Sequence, residues 1–129
     1  MKKEMVTEEY WLKSAEMDWE TVEHLFRSKD YHWALFIAHL VLEKVLKAYY
    51  VKHKRKEHPY GHNLVIIAEK SDLELTEEQL ELLEIVNRFN IAVRYPDEKL
   101  SFYKKCTKEY TEKHIKKIKE FYEWIRKNM

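Results

Sequence analysis

The 129-residue chain is short of the residues that build turns and crosslinks, with one glycine, two prolines and one cysteine. Doubly wound sheets and strand-rich folds need frequent turns, so this scarcity favours long helices joined by few loops. Gly61 alone cannot form a glycine-rich phosphate loop, and no nucleophile elbow is present. The lone Cys106 has no partner for an internal disulfide. No signal-peptide pattern and no uninterrupted apolar run of membrane-spanning length, about 20 residues, occurs, so a cytoplasmic protein without a membrane span is expected. The net charge of +1 excludes a globally basic nucleic-acid binder.

What is present fits a globular chain: 45% hydrophobic and 36% charged residues, enough for one helical domain with its own core, expected over 1–129. The charge is unevenly placed. Residues 44–56 hold six Lys or Arg and no acid, whereas residues 69–84 hold seven acids and one Lys. Such asymmetry either orients a partner or marks two solvated surfaces.

The segment from Tyr31 to Tyr50 is the most informative. It is apolar on nearly every side, which places it at the centre of a bundle. Yet it carries His39, Glu43, Lys44 and Lys47, charges that would be costly in a membrane and that need partners in a core. Around it, periodicity predicts a first helix from about Thr7 to Ser28, with Trp11, Ala15, Trp19, Val22 and Phe26 inward. Asp30 is expected to cap the central helix, and Pro59 and Gly61 mark a turn after it. A short third helix covers about Asn63 to Lys70. A fourth opens on the capping box Thr76-Glu-Glu-Gln79, with Leu80, Leu83, Val86 or Asn87, and Ile91 inward, and must end before Pro96. A fifth is predicted from about Leu100 to Lys127, with Tyr103, Cys106, Tyr110, Ile118, Phe121 and Ile125 inward. The sum is an all-α, up-and-down antiparallel bundle of about five helices, its four tryptophans mostly core filler.

Two constellations carry candidate chemistry. At the end of the fourth helix, Asn87, Asn90 and Arg94 share one face and Arg88 and Tyr95 the adjacent one. Guanidinium groups beside amides suit a phosphate or carboxylate, or else they pair internally with Asp18, Glu43 or Asp97. On the central helix, His39, Glu43 and Lys47 follow at i, i+4 spacing, either as a buried network tying helices together or as a polar cleft for a ligand or partner helix. His53, His58 and His62 cluster around the turn without the cysteine pair or carboxylate that would complete a zinc site, so no metal or other cofactor is expected; His62 could cap the third helix or hydrogen-bond across the bundle. Cys106, on an apolar stripe, reads as packing.

The chain resembles the HEPN (higher eukaryotes and prokaryotes nucleotide-binding) domain. The resemblance rests on Trp11-x3-Ala15-x2-Asp18, on Tyr31-x2-Ala34-x-Phe36 leading into Leu42-Glu-Lys-Val-Leu-Lys-Ala48, on His62-x-Leu64 and on Ala92-x-Arg94-Tyr95-Pro96-Asp97. It implies a homodimeric helical bundle, association with a small nucleotidyltransferase in a two-part, toxin–antitoxin-like system, and binding of a nucleotide or RNA. Some members are metal-independent ribonucleases with Arg, four to six residues, then His on the fourth helix. This chain departs from that pattern. Counting from Arg88, the His positions hold Val93, Arg94 and Tyr95; counting from Arg94, they hold Lys99, Leu100 and Ser101. Arg stays charged and is a poor proton shuttle. The expectation is therefore a non-nuclease binding module in which Arg88, Asn90 and Arg94 contact phosphate or a partner's acids, helped by Asn87 and Tyr95 and organised by Asp18, His39, Glu43 and Lys47. The rivals are a ribonuclease with a displaced acid or base and a scaffold without a ligand of its own. Phe102 and Tyr103 are expected to supply an apolar patch for self-association.

Overall fold

The computed structural model describes residues 6–129, so the first five residues of the expected domain lie outside the described residues. Six α-helices follow in order: α1 (Glu8–Arg27), α2 (Tyr31–Lys54), α3 (Leu64–Lys70), α4 (Glu77–Arg94), α5 (Pro96–Lys105) and α6 (Lys108–Lys127), with no strand among the described residues. The architecture is the expected all-α bundle. No helix among the described residues is long and apolar enough to cross a membrane.

The bundle is organised around α2, which packs against all five other helices. Ala34, Leu35, Ala38, Val41, Leu42, Val45, Leu46 and Ala48 are wholly buried on it. Each leucine so buried is worth about 1.5–3 kcal/mol of apolar transfer. α1 lies along α2 after a tight turn in which Lys29 takes a positive φ of 65°. Asp30 occupies the N-cap position of α2 but its side chain makes no cap bond; it accepts from the Ser28 hydroxyl at 3.0 Å instead. The other starts follow the sequence. Thr7 Oγ1 accepts from the Tyr10 N–H, Asn63 Oδ1 from Val65 and Ile66, and Thr76 and Gln79 close the capping box.

Three expectations are corrected. First, the predicted fifth helix is two helices. Pro96 takes the first turn of α5, where a missing N–H costs nothing, and the chain breaks at Cys106 and Thr107. There the Thr107 backbone is extended and its Oγ1 caps α6 by accepting from the Tyr110 N–H at 3.1 Å. The break resets the helical phase, so Phe102 is buried and Tyr103, expected inward, is 59% exposed. Second, α4 buries Leu82, Leu83, Val86, Phe89, Asn90 and Val93, while Leu80 and Ile91 are exposed. Apolar residues run most of the way round α4, so periodicity alone does not choose its inner face. Third, the tryptophans fill the core only in part: Trp19 and Trp124 pack half-buried against it, and Trp33 is exposed.

Candidate functional site

The charges on α2 are resolved by a network that crosses to the loop before α3. Glu43 and Lys47, one turn apart, are both buried, and Lys47 Nζ donates to Glu43 Oε2 at 3.1 Å. His62 Nδ1–H donates to the other oxygen, Glu43 Oε1, at 2.8 Å. His39 Nε2–H donates to the His62 carbonyl at 3.0 Å, so His62 is pinned to α2 through both side chain and backbone. Of the two roles open to His62 in the sequence, the structure shows the bond across the bundle. Lys47 also lies 5.4 Å from the Trp11 ring centroid, a cation–π contact. His39 Nδ1 and Trp11 Nε1 are buried in this region without a hydrogen-bond partner among the described residues. Burial pushes the His39 imidazole down from near 6.5 to about 4, against the pull of Glu43; the nearby charge of Arg94 adds the last contribution.

These bonds decide the internal-pairing alternative for the arginines. Asp18 is engaged by Lys44 at 2.5 Å and Glu43 by Lys47 and His62. Among the described residues neither Arg88 nor Arg94 forms an ion pair, and both are exposed. Asn87 is committed elsewhere. Its Oδ1 accepts from the Leu64 N–H at 2.8 Å and its Nδ2 donates to Asn63 Oδ1 at 3.0 Å, which ties α4 to the start of α3. Asn90 is buried at 8% exposure, and Tyr95, at the junction of α4 and α5, is 58% exposed.

The arginines do not converge. Arg94 is exposed and lies within electrostatic reach of His39 on α2. Arg88 lines a groove of about 700 Å³ between α4, α5 and α6, together with Phe89, Phe102, Lys105, Tyr110 and His114. Six residues along a helix is about 600°, so the two guanidinium groups project roughly 120° apart. Asp97 and Glu98 line the same groove.

His114, not among the candidates that the sequence offers, also lines the Arg88 groove. It is only 8% exposed on α6, and its Nδ1–H donates to the Tyr110 carbonyl at 2.8 Å. Burial pushes its pKa down, helped by Lys117, Lys113 and Lys105 and opposed by the Tyr110 carbonyl. The ring is therefore neutral near pH 7, with the lone pair on Nε2. Its signal in the sequence is the Tyr110 and His114 pair, one turn apart on the inner stripe of α6.

The three turn histidines diverge: His53 stacks on Tyr49, His58 packs on Trp11 and His62 bonds Glu43. The described residues contain no group of three His, Cys, Asp or Glu able to hold a metal ion. Cys106 is buried, and burial raises its thiol to about 12, which suits packing.

Comparison with known proteins agrees with this architecture. The fold is similar to that of TT1696 from Thermus thermophilus, a crystal structure, with a TM-score of 0.80 and 19% identity over 95% of this chain and 98% of that one. No curated protein sequence matches. The family model of the HEPN domain matches residues 8–128, nearly the whole chain: this protein belongs to the HEPN domain family.

Proposed function

We propose that this HEPN protein is a non-nuclease binding module whose α4 recognises a nucleotide phosphate or the acidic surface of a small nucleotidyltransferase, as one half of a toxin–antitoxin-like pair. The observation that carries this reading is Arg88: an exposed guanidinium without an ion pair among the described residues, on the wall of a groove of about 700 Å³. A planar fork left unpaired beside Lys105 suits bidentate binding of phosphate or carboxylate oxygens. Tyr110, half-buried on the groove wall, adds aromatic surface. Arg94 and Tyr95 offer a second contact on the neighbouring face. The Glu43, Lys47, His39 and His62 network holds α2 and the α3 approach in place, and Asp18 with Lys44 ties α1 to α2. A cytoplasmic homodimer fits the exposed Ile91, Tyr95, Leu100 and Tyr103, and light scattering returning the mass of one chain would remove it. Calorimetric titration with ATP, GTP and short RNA tests the ligand. Binding by the native protein that is lost in Arg88→Ala is the expected result; no heat from any of the three favours a scaffold role.

One observation favours a second reading, a ribonuclease with a displaced base. His114 from α6 lines the same groove as Arg88, and its bond to Tyr110 leaves Nε2 free to accept a proton. Arg88 would hold the phosphate while Nε2 takes the proton of an attacking ribose hydroxyl; the departing 5′ oxygen would draw its proton from solvent or from His114 once charged. Cleavage of structured RNA that survives EDTA and vanishes in both Arg88→Ala and His114→Ala would establish it over the first reading.

A further inference from the structure

The Arg88 groove does not end at His114. A second groove of about 330 Å³ continues from it, and the two share Ile85 and His114 in their walls. Together they form one furrow along α4 from Thr76 to Ala92, with α6 opposite and antiparallel: Tyr110 lines the Arg88 end and Trp124 the other. At ~1.5 Å per residue the furrow is about 24 Å long, the length of a helix of about 16 residues. Its floor is apolar, formed by Leu82, Ile85, Phe89, Phe121 and Trp124.

The two ends differ in charge. At the Trp124 end Glu78, Glu81 and Glu120 face one Lys117, and none of these four forms an ion pair among the described residues. Glu78 has a local reason to be there, since it sits in the first turn of α4 and complements the helix dipole. Glu81 and Glu120 have none, being a turn or more from a helix N-terminus. At the other end Arg88 and Lys105 are matched by Asp97 and Glu98. The furrow thus has an apolar floor between polar walls, with a net negative mouth at one end and a balanced one at the other.

From this geometry we infer that the furrow is the docking groove for an amphipathic helix of a partner protein, basic in its last turn and lying antiparallel to α4. The apolar floor takes the helix's i, i+3, i+4, i+7 stripe. Glu81 and Glu120 receive its basic end, and Trp124 offers a ring face to one of those cations. Bases in the last turn also suit the occupant's own dipole, and antiparallel packing sets its C-terminal carbonyls beside the N-terminus of α4. The inference rests on the partner-binding branch of the proposed function and needs no phosphate at Arg88.

Two fluorescein-labelled 16-residue peptides of identical composition test it, sharing the apolar stripe but carrying their lysines in the last turn or in the first. By fluorescence anisotropy against the full chain, the last-turn peptide is expected to bind at least tenfold more tightly. Glu81→Lys with Glu120→Lys should abolish that preference while leaving the circular dichroism spectrum and the ATP titration unchanged. Equal affinity of the two peptides, no binding of either, or a preference that survives the charge reversal overturns the proposal. Loss of ATP binding in Arg88→Ala alone speaks only to the phosphate reading.

Discussion

Replacing Glu43 by leucine removes the one carboxylate that neutralises the buried ammonium of Lys47. The side chains of Glu43 and Lys47 are 7% and 6% exposed, so neither charge is solvated well by water. Breaking a buried pair by deleting one partner costs about 3–5 kcal/mol, because the survivor stays buried and uncompensated. The Trp11 ring at 5.4 Å, at this desolvated position, offsets about 2 kcal/mol. The loss of the His62 bond adds about 1 kcal/mol. A net cost of about 2–4 kcal/mol follows, a large share of a typical 5–15 kcal/mol fold and about 7–15 °C in melting temperature for a domain of this size. The double variant Glu43→Leu with Lys47→Met removes both charges at similar volume and should recover most of the loss. Urea titration at pH 7 with circular dichroism measures all three proteins. A cost below about 1 kcal/mol for the single variant, or a double variant as unstable as the single, would refute the account of a mutually dependent buried pair.

Other expectations follow from the same geometry. His39 is held down to about 4 from near 6.5 by burial, so the folded state disfavours its charged form. The stability this protects is complete above about pH 6.5 and is lost as pH falls towards 4, by about 3 kcal/mol; pH-dependent urea midpoints should show that slope and lose it in His39→Gln. Asn87→Ala leaves the Leu64 N–H without its acceptor and takes one donor from the Asn63 cap oxygen, and should cost about 1–2 kcal/mol in a thermal melt; no change would mean that the bridge is idle. Thr107→Ala should cost about 1 kcal/mol by removing the cap that starts α6. Cys106, its thiol raised to about 12 by burial, should react with a thiol reagent at pH 8 only as fast as the protein unfolds, and prompt labelling of the native protein would contradict its packing role.

Several features are local and were legible along the chain. The scarcity of glycine and proline, the all-round apolarity of residues 31–50 and the signals at Thr7 and Thr76 dictate helices, a central rod and two starts, because each depends on contacts within one turn. The i, i+4 spacing of Glu43 and Lys47 likewise contained their bond. What required the third dimension was phase and proximity. The cap at Thr107 breaks what periodicity reads as one helix, and the direction of α4 depends on which helices press on it, since nearly every side of it is apolar. The i, i+6 spacing already sets Arg88 and Arg94 on different faces of α4, but the groove that Arg88 meets is made by α5 and α6. His62 and His114, far from the two arginines in sequence, supply the clasp on α2 and the neutral ring in the groove. A single sequence determines its near-neighbour hydrogen bonds and its hydrophobic stripes; which distant polar groups meet is decided only when the rods pack.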